Sequence, residues 1–127
     1  MAGTRCGWSL TANLYLFDQS QDTLVFNSIK TDIDGRVKYL RLDDFDTLLA
    51  PLIAYQLYLM DIQSVIIEGG LQTLESFIKP GLWDEARIIT GTDLWDSGRK
   101  APLLQGKQMK QSQLSTDTIT VLYNPNN

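Results

Sequence analysis

The stretch 64–78 constrains the fold more than any other part of the sequence. It opens with the β-branched run Val65-Ile66-Ile67, which is typical of a strand buried on both faces. Glu68 and two glycines follow, and apolar residues then recur at helical spacing, so the pattern predicts a strand, a tight turn and a helix. Because its β-branched residues lack a polar face, we predict that the segment 64–68 is a central parallel strand.

The predicted junction has the chemistry of a phosphate site. A helix start leaves backbone N–H groups unpaired, with the positive end of the helix dipole behind them. Gly69 and Gly70 let the backbone approach a ligand closely, and we expect a positive φ at Gly70. Thr73 and Ser76 add hydroxyl groups near the same end. The alternative is a sharp turn that needs glycine and binds nothing, because a short glycine motif is weak evidence without its context.

Length, charge and cysteine content restrict the class of protein. A chain of 127 residues fits one domain, and its net charge of −4 argues against a nucleic-acid backbone as the main partner. No apolar run approaches the roughly 18 residues of a membrane span, and the N-terminus lacks a secretory pattern. Cys6 is the single cysteine, which fits a reducing compartment. We therefore expect a soluble, cytoplasmic protein.

The residue types that are missing narrow the possible chemistry. The sequence has no histidine and one cysteine, which excludes imidazole-based catalysis, histidine zinc sites and thiolate metal clusters. The Asp-x-Asp-Gly at 32–35 resembles a fragment of a calcium loop, but further acidic ligands do not follow at the required spacing, so it indicates a turn. Chemistry must come from carboxylates, hydroxyls, backbone amides or a bound organic cofactor.

The other segments predict strands on both sides of one further helix. Strands are predicted at 14–17, 23–26, 37–40, 83–90, 108–115 and 118–123, and a helix at 51–60 after a turn at 44–48 that begins with an aspartate cap. The long loop 91–106 suggests a role in binding or assembly. This order indicates an α/β fold, with a mainly parallel sheet flanked by helices and an antiparallel C-terminal edge.

With these segments in place, the sequence resembles the reductase domain of the bifunctional riboflavin-biosynthesis enzyme. The resemblance is carried by Ser64-Val65-Ile66-Ile67-Glu68-Gly69-Gly70, by Thr73-Leu74 and Phe77-Ile78, and by Leu82-Trp83-Asp84-Glu85-Ala86-Arg87. It is specific over 61–87 and extends over 14–123, whereas the residues before Thr11 give no clear alignment. The resemblance implies a fold like that of dihydrofolate reductase.

Two departures from the family pattern affect the interpretation. The family's N-terminal zinc deaminase is absent, because that domain needs a His-x-Glu and a Cys-x-x-Cys site. Reductase domains of the family are also longer on their N-terminal side. The sequence is therefore interpreted as a single, partial reductase domain over 1–127.

The resemblance implies NADPH-dependent reduction of 5-amino-6-(5-phosphoribosylamino)uracil, with hydride transfer to the ribose C1′ of this phosphoribosyl-pyrimidine. It implies that Glu68 contacts the substrate, although a carboxylate that only interacts with the helix dipole is the alternative. Contacts to NADPH are implied for Gly69, Gly70, Leu71, Gln72, Thr73, Leu74, Glu75 and Ser76. Neither a catalytic side chain nor a metal ligand is assigned, because the cofactor supplies the hydride.

Four other charged residues have two interpretations each. Asp84 and Glu85 match the family, but we interpret them as structural. Arg99 and Lys100 either neutralise a phosphate or form a solvated pair on the loop.

Two further classes of function stay open: a non-catalytic nucleotide-binding module, and an assembly fragment whose uncovered sheet edge pairs with another chain. We expect a homo-oligomer, because a truncated sheet leaves apolar surface and strand edge uncovered.

Overall fold

The computed structural model describes residues 15–43, 47–94 and 96–126. The chain divides into two compact units, one ending at Thr47 and the other beginning at Leu48, and each is described by itself. Predictions that concern Leu14, the turn at 44–46 and the residues before 14 lie outside the described residues.

The first unit holds a short 3-10 helix and a three-stranded sheet. The helix is Tyr15–Phe17, and the strands are β1 (Thr23–Asn27), β2 (Asp32–Asp34) and β3 (Val37–Arg41). The strand order is β1-β3-β2, with β3 parallel to β1 and antiparallel to β2. The strands predicted at 23–26 and 37–40 are therefore confirmed.

The predicted strand at 14–17 is wrong. Tyr15–Phe17 forms a helical turn, and the Phe17 ring stacks on Tyr39 with 6.5 Å between ring centroids. This aromatic contact joins the segment to β3, whereas a strand would need a neighbouring edge to pair with. The turn predicted after Asp34 is confirmed at Gly35, whose φ of +56° favours glycine.

The core of the first unit is organised by β3 and by one asparagine. Val37 and Tyr39 are buried, and Asn27 is buried as well. The Asn27 side-chain oxygen accepts hydrogen bonds from the backbone N–H groups of Ile29 and Lys30, both at 2.8 Å. Its amide nitrogen donates to the carbonyl of Lys30 at 3.0 Å. This amide thus closes the connection between β1 and β2 by pairing backbone groups that the sheet does not pair.

The second unit holds two helices and an antiparallel sheet. The elements are α1 (Leu49–Leu59), α2 (Leu71–Ile78), β4 (Glu85–Thr90), β5 (Lys107–Leu114) and β6 (Asp117–Tyr123). The helices α1 and α2 contact each other, and β6 lies between β4 and β5. Neither helix reaches the length and hydropathy needed to span a bilayer, as far as the described ranges extend.

Most predicted elements of this unit are confirmed. The predicted helix at 51–60 is observed as α1, where Pro51 lies in the first turn and therefore removes no intrahelical donor. Its N-cap is Leu48, which forms no side-chain cap hydrogen bond. The predicted C-terminal hairpin is observed as β5 and β6, which meet where Leu114 pairs with Asp117. Ser115, in the turn between them, has a φ of +57°.

The predicted central parallel strand at 64–68 is wrong. Residues 62–68 run without helix, turn, bend or strand pairing, and Val65 and Ile66 are 55% and 85% exposed. The β-branched run favours extended backbone, but a strand also needs a neighbour to pair with, and none lies beside it in the described part of the second unit. The mainly parallel sheet is wrong for the same reason: β1 with β3 is parallel, and the other three observed pairings are antiparallel.

Candidate functional site

Glycine occupies positions 69 and 70, before α2, for two different structural reasons. Gly69 has a φ of +146°, and a Cβ built there would lie 3.4 Å from the Thr73 side chain. Gly70 has φ −74° and ψ 171°, which any residue adopts, so the positive φ expected there is wrong. A Cβ built on Gly70 would meet nothing within 4 Å. The backbone thus requires glycine at 69, whereas the missing side chain of Gly70 leaves open space at the helix start.

Backbone donors face this open space. Gly70 is the N-cap of α2 and supplies no side-chain acceptor. The first helical hydrogen bond runs from the Leu74 N–H to the Gly70 carbonyl at 3.2 Å. Within the described residues, the N–H groups of Leu71, Gln72 and Thr73 have no acceptor. Unpaired N–H groups and the positive end of the dipole together suit an anion of the size of a phosphate group.

Two polar side chains of α2 already have partners inside the helix. The Ser76 hydroxyl donates to the Thr73 carbonyl at 2.7 Å, and Glu75 forms an ion pair with Lys79 at 2.8 Å. Contacts from these two side chains to a cofactor remain a prediction. Among the described residues, the backbone N–H groups and the Thr73 hydroxyl remain available as donors at this end.

Glu68 lies directly before the glycine turn. Its side chain is exposed, and it forms neither a hydrogen bond nor an ion pair with other residues that the structure describes. The sequence has no lysine or arginine over 61–78, so no basic side chain from this stretch neutralises the carboxylate. An acceptor in this position suits a ligand that presents N–H or hydroxyl donors, and it repels a phosphate.

Glu85 and Asp84 have partners within the second unit. The Arg87 guanidinium, 2.7 Å from Glu85, and secondly the Tyr123 hydroxyl lower the pKa of the Glu85 carboxyl. The Asp84 carbonyl accepts a hydrogen bond from the Asn124 N–H at 2.9 Å. These contacts agree with the structural interpretation of both residues.

One face of the β4-β6-β5 sheet forms a shallow concavity of about 510 Å³. It is lined by Glu85, Arg87, Ile89, Met109, Lys110, Ser112, Ile119, Val121 and Tyr123. Sequence reasoning missed it, although the alternation of 85, 87 and 89 along β4 is the signal that places their side chains on one face. The Glu85 carboxylate and the Arg87 guanidinium in this concavity already pair with each other. The start of α2 instead offers N–H donors that have no acceptor in the described ranges.

Arg99 and Lys100 lie exposed on the loop 91–106. Neither forms an ion pair with a residue in the described ranges. Both interpretations of this pair therefore stand as predictions.

These observations define an α/β protein in which a glycine turn leads into an uncapped helix start suited to an anion. The chain belongs to the RibD C-terminal domain family, whose family model matches residues 2–123. The predicted resemblance is confirmed, and it extends further than expected, because the match includes residues before Thr11. Membership implies the dihydrofolate-reductase-like fold of this oxidoreductase family of riboflavin biosynthesis.

A solved structure has a similar fold. "Acinetobacter baumannii RibD, form 2" matches with a TM-score of 0.66 and 22% sequence identity, and the match covers 94% of this chain. The same match covers 35% of the RibD chain, so this chain spans about a third of that protein. A comparison with curated proteins finds no match.

Proposed function

We propose that the start of α2 binds a phosphate group of NADPH, and that the chain is part of a 5-amino-6-(5-phosphoribosylamino)uracil reductase. The observation that carries this proposal is the open space at Gly70, which coincides with backbone N–H groups that have no acceptor among the described residues. Family membership supplies the class of reaction.

The residues around the glycine turn would contact different parts of the ligands, according to the charge and hydrogen-bonding groups that each residue presents. Leu71, Gln72 and Thr73 offer N–H donors to a phosphate, and Gly70 leaves room for it. Glu68 accepts hydrogen bonds from ribose hydroxyls or pyrimidine N–H groups, and it disfavours phosphate at its own position. NADPH, when bound, would supply a hydride for the ribose C1′; the C1′–O4′ bond would break and O4′ would take up a proton, which leaves an open ribityl chain. The residues of this chain would contribute by orienting the cofactor and the substrate relative to each other.

The alternative function is a nucleotide-binding or assembly fragment without catalysis. One observation favours it: the segment 62–68 has no strand neighbour in the described part of its unit. In that case NADPH binds at α2, but the substrate is not reduced.

Calorimetric titration with NADPH tests the binding site. Gly70→Val fills the open space without placing a branched residue at positive φ, so we expect NADPH affinity to fall at least tenfold, about 1.4 kcal/mol. Gly91→Val is the matched control, because Gly91 also lacks a positive φ and a Cβ there would meet only Asp117 at 3.7 Å. If the two variants bind NADPH with equal affinity, the start of α2 is not the phosphate site.

A turnover assay separates the reductase from the nucleotide-binding alternative. NADPH consumption is followed in the presence of the phosphoribosylaminouracil for the wild type and for Glu68→Gln. A reductase consumes NADPH, and Glu68→Gln lowers the rate while leaving NADPH affinity nearly unchanged. Binding without turnover supports the alternative, and a folded chain that binds no NADPH refutes both.

A further inference from the structure

Helix α2 ends in a Schellman motif, which directs the chain out of the helix toward β4. The Leu82 N–H donates to the Phe77 carbonyl at 2.9 Å, and the Gly81 N–H donates to the Ile78 carbonyl at 3.0 Å. Gly81 has a φ of +76°, the left-handed conformation typical of this motif. The last turn of α2 and the first residues after it therefore share one defined backbone geometry.

Asn124 holds the rest of the connection from α2 to β4. It directly follows β6, and its backbone N–H donates to the Asp84 carbonyl at 2.9 Å, which extends the pairing of β4 with β6 by one residue. Its side-chain amide nitrogen donates to the Trp83 carbonyl at 2.8 Å and to the Gly81 carbonyl at 3.2 Å. One residue thus joins the end of α2 and the start of β4 to the central strand of their sheet.

The chemistry of these contacts requires an amide side chain at position 124. Asn124 is 7% exposed, so its polar atoms need partners within the protein. Its side-chain oxygen accepts a hydrogen bond from the Asn126 N–H at 3.1 Å, while its nitrogen supplies the two donors. A carboxylate would keep the acceptor and lose both donors, and a methyl group offers neither. Replacing the amide therefore takes these donors from the carbonyls of Gly81 and Trp83.

We propose that Asn124 is a positioning residue for the phosphate site at the start of α2. This inference rests on the proposed function, in which the N–H groups of residues 71–73 bind a phosphate of NADPH. Asn124 acts from the opposite end of the helix, by fixing the direction in which α2 presents those donors. Because α2 also contacts α1 and buries Phe77, loss of the Asn124 contacts should tilt the helix and not unfold it.

The length of α2 makes the position of its start sensitive to the position of its end. The helix has 8 residues, which span about 12 Å. A tilt of about 10° at the C-terminal end would therefore move the first N–H groups by roughly 2 Å. Hydrogen bonds from N–H to oxygen occupy a range of about 2.7–3.2 Å, which is much narrower than this shift. Loosening the contacts at Asn124 should therefore weaken phosphate binding at a site that Asn124 does not touch.

Calorimetric titration with NADPH tests this role, at a temperature well below the melting temperature of each variant, so that the folded fraction stays close to one. Asn124→Ala should weaken NADPH binding at least about fivefold. Asn126→Ala is the local control, because Asn126 contributes its backbone N–H, which alanine retains. Asn27→Ala is the control for stability, since it removes a buried amide that binds backbone groups in the first unit. Both controls should keep the wild-type affinity.

A double-variant cycle with Gly70→Val separates this role from the proposed function. If Gly70→Val alone leaves NADPH affinity unchanged, the phosphate site itself is refuted, and the role of Asn124 with it. If Gly70→Val weakens binding, Asn124→Ala should add little to the loss in that background, because both changes remove the same contacts.

Asn124→Ser keeps one side-chain donor, so it should lose less affinity, and it provides the same test if the alanine variant does not fold. Three results would overturn the role of Asn124 while Gly70→Val still weakens binding. They are wild-type affinity in a folded Asn124 variant, an equal loss of affinity in Asn27→Ala, and full additivity in the double variant.

Discussion

Replacing Gly70 by aspartate should stabilise the fold and weaken NADPH binding at the same time. Gly70 already has the extended backbone of an N-cap, with φ −74° and ψ 171°, so an aspartate there needs no change of backbone. Its carboxylate would accept hydrogen bonds from the N–H groups of Gln72 and Thr73, which lack acceptors among the described residues. It would also place a negative charge at the positive end of the α2 dipole.

The magnitudes of the two effects follow from the same contacts. An aspartate cap in place of glycine contributes a few tenths of a kcal/mol, and the dipole interaction adds about 0.3–1 kcal/mol. For a chain of this size the sum corresponds to a rise in melting temperature of roughly 2–5 °C. The carboxylate would occupy the donors and the space that a phosphate needs, so NADPH affinity should fall at least tenfold, about 1.4 kcal/mol.

Thermal melts and calorimetric titrations of three variants separate the causes. Gly70→Asn caps the helix without a charge, so it should raise the melting temperature less and still weaken NADPH binding. Gln113→Glu adds the same charge at an exposed position of β5 and should change neither quantity. If Gly70→Asp melts higher but binds NADPH as well as the wild type, the phosphate does not lie at the start of α2. If Gly70→Asp does not stabilise the chain, the N–H groups there are not available donors.

Two further predictions concern stability. Asn27→Ala should lower the free energy of unfolding by about 1–2 kcal/mol, because the N–H groups of Ile29 and Lys30 lose their shared acceptor. Chemical denaturation measures this loss, with Ser28→Ala as the control. Equal stability of the two variants would contradict the role of Asn27 in closing the β1–β2 connection. The lowered pKa of Glu85 means that its ion pair stabilises the fold above the unfolded-state pKa and is lost as pH falls through the folded-state pKa. Between about pH 5 and pH 3, the melting temperature should therefore fall more steeply for the wild type than for Glu85→Gln. Parallel curves of melting temperature against pH would refute the coupling between this ion pair and stability.

The elements that sequence reasoning predicts correctly are those specified by local pattern. The helix α2 follows from its apolar spacing after the glycines, and the β5–β6 hairpin follows from two extended runs joined by a short turn. The segment 64–68 has an equally clear β-branched pattern and still forms no strand. Its conformation depends on a neighbouring edge, and the pattern of one segment contains no information about whether a partner is present.

The candidate site was predictable as a location but not in its details. The Gly-Gly pair indicated a helix start with available N–H groups, and that arrangement is observed at α2. The separate roles of Gly69 and Gly70 depend on one backbone dihedral angle and on the space around each Cα. The engagement of Ser76 with the Thr73 carbonyl depends on a side-chain rotamer. The backbone dihedral angle, the space around each Cα and the side-chain rotamer are not determined by residue type alone.

The central position of β6 has a consequence for synthesis on the ribosome. Both β4 and β5 hydrogen-bond to β6, which comes after both of them in the chain. Because a chain emerges from its N-terminal side, β4, with the apolar Ile88 and Ile89, is made before β6, which is its pairing partner among the described residues. We therefore expect the pairing of this sheet to complete late in synthesis.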